Sequence, residues 1–284
     1  MRGLAYTTLI STEALAGRLS DADWLVADCR FELSDPQAGA RAWREGHLPG
    51  AIHADLERDL SAPVTAKTGR HPPPPVAVLE ATFSRFGISD RTQVVAYDAG
   101  GGVYAARLWW MLRWLGHDAV AVLDGGFAAW LAEGRAVTRD ETARGPARFV
   151  ARPRPQMLCT AEEIPGLLAG GGALIDVRGA ERFRGEVEPL DTVAGHVPGA
   201  VNLPYLGNLG PDGRFLAPAA LAARLREHAG VEAGRAAVFM CGSGVTACQG
   251  LLAQEAAGIA GGRLYAGSWS EWIRDPARPV ARGA

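Results

Sequence analysis

The sequence has no apolar run long enough to cross a bilayer, and its first residues, MRGLAYTTLIS, contain no extended apolar segment of the kind that directs secretion. It has no excess of charge either: 29 Lys and Arg stand against 31 Asp and Glu, for a net charge of −2. A near-neutral chain offers nucleic acid and other polyanions no electrostatic footprint. The expectation is a cytoplasmic protein that engages neither nucleic acid nor membrane. Cysteine is also scarce. Cys29, Cys159, Cys241 and Cys248 form no C-x-x-C pair and no Cys/His cluster at metal-ligand spacing. No metal or organic cofactor is implied, and a chain of this size does not need disulfides. Cys29 and Cys159 read as buried free thiols.

What the chain does have is apolar content and an internal repeat. Its 284 residues are 48% hydrophobic, ample for packed cores and long enough for two domains. GHLPGAIHADL at 46–56 is answered by GHVPGAVNLPY at 195–205. Asp28 stands 19 residues before His47, and Asp176 stands 20 before His196. VVAYD at 94–98 is answered by AVFMC at 237–241, and LDGGFAAW at 123–130 by LYAGSWSEW at 264–272. Four landmarks in one order, offset by about 145 residues, indicate two copies of one domain.

Within each copy, short apolar runs (WLVAD, VVAYD, AVAVLD, ALIDV, AVFMC) alternate with helical stretches such as YAARLWWMLRWLG and TACQGLLAQEAAG. That alternation predicts an α/β fold, each domain a parallel sheet with helices on both faces. The polar, proline-containing stretch 138–157 reads as a linker between an N-terminal domain, 1–137, and a C-terminal domain, 158–284.

The chemistry concentrates where AVFM ends in Cys241, followed by Gly242, Ser243, Gly244, Val245, Thr246 and Ala247. A nucleophile between a strand end and a helix N-terminus sits where α/β sheets bind ligands. Glycines let successive N–H groups turn inward around the sulfur. Those donors and the positive helix end suit a thiolate, an anionic persulfide or a bound oxyanion. The hydroxyls of Ser243 and Thr246 are further donors. In the first copy the matching residue is Asp98, which is no sulfur nucleophile but suits a helix cap, so that domain is expected to be catalytically silent. A cysteine phosphatase needs C-x5-R, and position 247 is Ala247. A non-catalytic binding module is the rival from another class, and a cysteine in a glycine-rich loop speaks against it.

Taken together, these landmarks resemble the tandem-domain rhodanese family, which includes 3-mercaptopyruvate and thiosulfate sulfurtransferases. The resemblance spans nearly the whole chain. It implies a cytoplasmic sulfurtransferase in which Cys241 carries sulfur as a persulfide, in a ping-pong cycle. In that family a C-G-S-G loop, here Cys241 to Gly244, goes with mercaptopyruvate, whereas basic residues after the cysteine go with thiosulfate. Gly242, Gly244, Val245 and Thr246 then line the sulfur site. Arg182 matches a substrate-binding arginine, with Arg184 beside it, and a guanidinium can grip a carboxylate through two bonds. Many mercaptopyruvate enzymes carry a second arginine in a following E-P-R, where this chain has Glu188, Pro189 and Leu190. Losing one charged contact weakens carboxylate binding by about 1.5–3 kcal/mol, which keeps thiosulfate open as the donor. Asp55 and His71 match a pair proposed to form a proton relay with the loop serine, Ser243. The implied acceptors are a thiol, cyanide or a thioredoxin-like protein. His47 and His196 are expected to be structural, and Cys248 to be core packing.

Overall fold

The computed structural model describes residues 5–141, 144–232 and 234–283. Thr142 and Ala143 of the expected linker lie outside them, as do the first four residues of the N-terminal segment. Two compact units emerge. The first comprises residues 1–62, 74–154 and 211–215, and the second 63–73, 155–210 and 216–284. The short segments 63–73 and 211–215 thus each pack with the unit that does not contain their sequence neighbours. Most of the expected linker belongs to the first unit. Thr138 bridges His47, Phe149 packs edge-on against Phe83 at 5.3 Å, and the N–H of Arg154 donates to Trp114.

The first unit carries β1 (Leu9–Ile10), β2 (Trp24–Asp28), β3 (Ile52–His53), β4 (Gln93–Tyr97) and β5 (Val120–Leu123) in the order β1-β5-β4-β2-β3, with every pairing parallel. Its helices are α1 (Thr12–Ala16), α2 (Ala38–Glu45), α3 (Val76–Arg85), α4 (Val103–Trp114) and α5 (Gly126–Ala132). The second unit carries β6 (Ala173–Asp176), β7 (Val201–Asn202), β8 (Ala237–Met240) and β9 (Arg263–Leu264) in the order β7-β6-β8-β9, again all parallel. Its helices are α6 (Ile164–Ala169), α7 (Ala180–Arg184), α8 (Pro218–Ala229), α9 (Ala247–Ala256) and α10 (Ser268–Trp272). The position that β1 fills in the first sheet is reduced here to one bridge, Leu158 to Leu264.

The apolar runs became strands because every residue of β4, β5, β6 and β8 is buried, as a parallel sheet covered on both faces requires. Two helices are buried nearly all round. In α4, Trp109, Trp110, Met111 and Leu112 are all buried, and α9 is buried from Ala247 to Gln254. Burying one such large side chain stabilises by about 1.5–3 kcal/mol, so both helices are fixed in place. Each follows one of the two matched loops, and its N-terminus therefore stands at that loop.

The repeated landmarks are clamps. In the first unit the Asp28 carboxylate accepts Nε of Arg30 at 2.9 Å and Nη2 at 2.6 Å, and Nη2 also donates to the carbonyl of Gly46. In the second, Asp176 and Arg178 repeat the pair, and Arg178 donates to the carbonyl of Gly195 at 2.8 Å. Each D-x-R motif thus ties a strand end to the start of its G-H-x-PGA turn. The histidines brace the same turns. His47 stacks on Trp43 at 4.5 Å, and His196 stacks on Phe183 at 3.7 Å with Nδ1 bonded to the Phe183 carbonyl.

Candidate active site

Cys241 is the first residue beyond β8, and α9 begins six residues later at Ala247. Only 3% of Cys241 is exposed. Its sulfur accepts the backbone N–H of Gly244 at 3.2 Å, so a donor of the loop itself points at the reacting atom. Gly244 has φ +78°, and a Cβ there would collide with the carbonyl of Ala266. A side chain is excluded on both counts, conformation and space. Behind the loop, the Cys248 thiol donates to the Gly244 carbonyl at 3.3 Å, which makes Cys248 a buried prop of the turn.

The loop is held from the other side by the start of α10. The N–H groups of Trp269 and Ser270 donate to the carbonyls of Cys241 and Gly242 at 3.0 and 2.9 Å. The hydroxyl of Ser268 accepts the N–H of Cys241 at 3.0 Å and donates to the carbonyl of Tyr265 at 2.9 Å. With these carbonyls bonded outward, the Gly244 N–H is left to face the sulfur, a suitable donor to negative charge.

The relay expected of Ser243 and His71 is within hydrogen-bond reach. His71 Nδ1 lies 2.8 Å from Ser243 Oγ, and both residues are buried. Asp55 belongs to the first unit. There its Oδ1 accepts the N–H groups of Glu57 and Arg58 at 3.0 and 2.8 Å. Val245 is buried, and Thr246 stands at the head of α9 without a side-chain capping bond.

Arg182 reaches the loop. Its guanidinium nitrogens lie 3.5 and 3.6 Å from the point a Cβ on Gly242 would occupy. The same guanidinium pairs with Glu188 at 2.6 Å and Asp191 at 3.4 Å. Arg184 is two residues on, facing another way around the short helix. It pairs with Glu186, is 37% exposed, and borders a surface cavity with Phe183 and His196. Leu190 is 47% exposed. Pattern reading missed Arg70, Asp191 and Ser268, which the fold brings to the loop from 171 residues before Cys241, 50 before it and 27 after it. The only local signal was that Arg70 adjoins His71 and Ser268 lies within the repeated GSWSEW.

The matched loop of the first unit has the same frame around a different group. Phe127 and Ala128 donate to the carbonyls of Asp98 and Ala99, as Trp269 and Ser270 do in the second unit. Where the sulfur would be, the Asp98 carboxylate accepts N–H groups from Gly100, Gly102, Tyr104 and Ala105 at 2.9–3.2 Å. The last two belong to α4, so Asp98 caps it. Burial outweighs these four bonds and pushes the Asp98 carboxyl up to about 6.

Comparison with known proteins agrees with this geometry. The rhodanese-like domain model matches residues 11–133 and again 160–275. A "Probable 3-mercaptopyruvate sulfurtransferase" of Pseudomonas aeruginosa is 51% identical over 97% of this chain and 98% of its own length. The thiosulfate sulfurtransferase of Mus musculus is 34% identical over 98% and 96%. Among solved structures, the 3-mercaptopyruvate sulfurtransferase from Leishmania major superposes with a TM-score of 0.82 at 31% identity, covering 95% of this chain and 76% of that one. No helix among the described residues is long and apolar enough to cross a membrane. Two matched domains, one cysteine loop and relatives of this similarity lead to one conclusion: the chain belongs to the rhodanese family and is a sulfurtransferase.

Proposed function

We propose that the enzyme takes its sulfur from 3-mercaptopyruvate and passes it to a thiol, cyanide or a thioredoxin-like protein. The observation that carries this reading is the charge around the loop. From Gly242 to Thr246 there is no cationic side chain, and the two guanidinium groups that reach the loop are already paired, Arg70 with Asp191 and Arg182 with Glu188 and Asp191. A nearly neutralised cation suits the single carboxylate of an oxo acid better than a dianion. The relatives named for mercaptopyruvate support the same choice.

In the proposed cycle the Cys241 sulfur attacks the donor's thiol sulfur. The electrons of the breaking C–S bond leave with carbon 3 as the enolate of pyruvate, which takes a proton and departs. The transferred sulfur remains on Cys241 as a persulfide, facing the Gly244 N–H. Ser243 and His71 are assigned to proton movement during C–S cleavage, on the strength of their 2.8 Å contact. The role of Asp55 is supported by the family resemblance. An acceptor thiolate or cyanide then takes the terminal sulfur and restores Cys241. A cytoplasmic location completes the reading and is supported by four cysteines that are all free, as a reducing compartment keeps them.

The deciding experiment is steady-state release of pyruvate from 3-mercaptopyruvate, run beside thiosulfate, with Cys241→Ser as control. Preference for mercaptopyruvate that vanishes in Cys241→Ser is the expected result. Preference for thiosulfate would overturn the donor and leave the persulfide in place.

A further inference from the structure

We propose that Phe215 is a built-in plug closing the matched loop of the first unit, so that this unit is silenced by the segment covering it as well as by Asp98. Gly69, Arg70 and His71 recur 144 residues on as Gly213, Arg214 and Phe215, and each triplet shortly precedes a helix, α3 and α8. The triplets lie in the two short segments that leave their sequence neighbours, 63–73 packing with the second unit and 211–215 with the first. Each loop is thus covered by a copy of one repeated element. At its third residue the copy over Cys241 has a histidine and the copy over Asp98 a phenylalanine.

Up to that side chain the two coverings are alike. In the second unit a Cβ on Gly69 would stand 2.5 Å from the carbonyl oxygen of Gly267. In the first, a Cβ on Gly125, the match of Gly267, would stand 3.1 Å from Arg214 Cγ. Beyond this point they part. His71 bonds to Ser243, whereas the match of Ser243 is Gly100, which has no hydroxyl, and Phe215 has no polar atom to offer one. Its ring packs on the loop instead. Phe215 Cε2 and Cζ lie 3.3 and 3.5 Å from the point a Cβ on Gly102 would occupy, and the residue is buried. An apolar ring gains by filling such a space and leaving water, so it stays there. The segment is anchored on both sides of the ring's attachment. The N–H of Phe215 donates to Asp124 Oδ1 at 2.8 Å, and Arg214 pairs with Glu133, which also accepts the hydroxyl of Thr12. The loop beneath is the one whose N–H groups converge on the Asp98 carboxylate. The first unit therefore fills both parts of its own site, the anion place with Asp98 and the space above Gly102 with Phe215.

The test places a thiol at the closed site, in the full chain carrying Asp98→Cys and Cys241→Ser. Iodoacetamide labelling, followed by mass spectrometry of the peptides, gives the rate at position 98 and at Cys29, a buried thiol of the same unit. Adding Phe215→Ala is expected to raise the rate at position 98 about tenfold or more while Cys29 stays as it was. Phe215→Leu, still large and apolar, is expected to keep the slow rate. Equal rates at position 98 with and without Phe215→Ala overturn the plug. So does a rise shared by Cys29, which would mean that the whole unit had loosened. Should the Asp98→Cys chain fail to fold, Phe215→Ala alone is compared with wild type by amide hydrogen exchange. Exchange at Gly102 and Tyr104 is then expected to quicken about tenfold, with Val95 in β4 unchanged. No change at Gly102 and Tyr104, or a rise shared by Val95, overturns the inference.

Discussion

Ser268 Oγ accepts the backbone N–H of Cys241 at 3.0 Å, and Ser268 makes this bond from the left-handed region, with φ 53°. Among the described residues it is the only non-glycine residue with positive φ. The first unit has Gly126 at the matching place, with φ 59°. The start of α10 beside the Cys241 loop therefore accepts backbone strain where the start of α5 in the first unit avoids it, and gains a hydroxyl that fixes the N–H of Cys241.

Ser268→Ala keeps the strain and leaves a buried N–H without its acceptor, at a cost of about 1–3 kcal/mol. Ser268→Gly also loses the bond but relieves the strain, so it is expected to fall between Ala and wild type in urea denaturation. An Ala variant as stable as the Gly variant would show that the backbone there is unstrained.

His71→Gln and Ser243→Ala are expected to slow pyruvate release in a single turnover by about a hundredfold or more, the usual worth of a positioned proton-transfer group. Transfer from preformed persulfide to cyanide should change little, since no C–S bond breaks in that half. Asp55→Asn in the same assay decides whether Asp55 belongs with them. Equal losses in both halves would assign His71 to shaping the loop instead.

Asp98 gives the first unit a pH signature. Its carboxyl is raised from 3.8 to about 6, so between these values the folded chain holds a proton that the unfolded chain has released. Stability from this group is complete at low pH and is lost as pH rises through about 6, by at most roughly 3 kcal/mol. Relative to Asp98→Asn, the wild type is expected to lose stability between pH 4 and 7 in denaturation curves. A constant difference would show that the four N–H donors cancel the effect of burial.

The four thiols are expected to differ in reactivity. Burial pushes Cys159 up to about 11 and raises Cys29 well above the usual thiol range, and the Cys248 thiol is bonded to Gly244. Iodoacetamide at pH 8 is expected to label Cys241 alone in the folded protein, and prior 3-mercaptopyruvate to place the label on a persulfide one sulfur heavier. Mass spectrometry of the labelled peptides checks both.

Much of the fold was legible because its signals are local. Asp176 and Arg178 are two residues apart, and the pair binds a turn that begins 17 residues on, so the spacing that marked the repeat is also the spacing of each clamp. Continuous apolar runs marked β4, β5, β6 and β8 because both faces of a parallel sheet are covered. The expected helix near Thr246 begins at Ala247. The resemblance set Arg182 ahead of Arg184, and in the fold Arg182 reaches Gly242 while Arg184 pairs with Glu186.

The sequence by itself determined the repeat, the parallel α/β architecture, and Cys241 as the candidate nucleophile with Asp98 in its place in the first copy, since each follows from composition and order along the chain. Tertiary structure alone decided which distant groups meet the sulfur loop. Arg70 and Asp191 are 121 residues apart, and Cys241 and Ser268 27. No periodicity encodes such pairs. They exist because burial of the sheets and of α9 and α10 fixes the backbone closely enough for polar side chains from separate segments to satisfy one another.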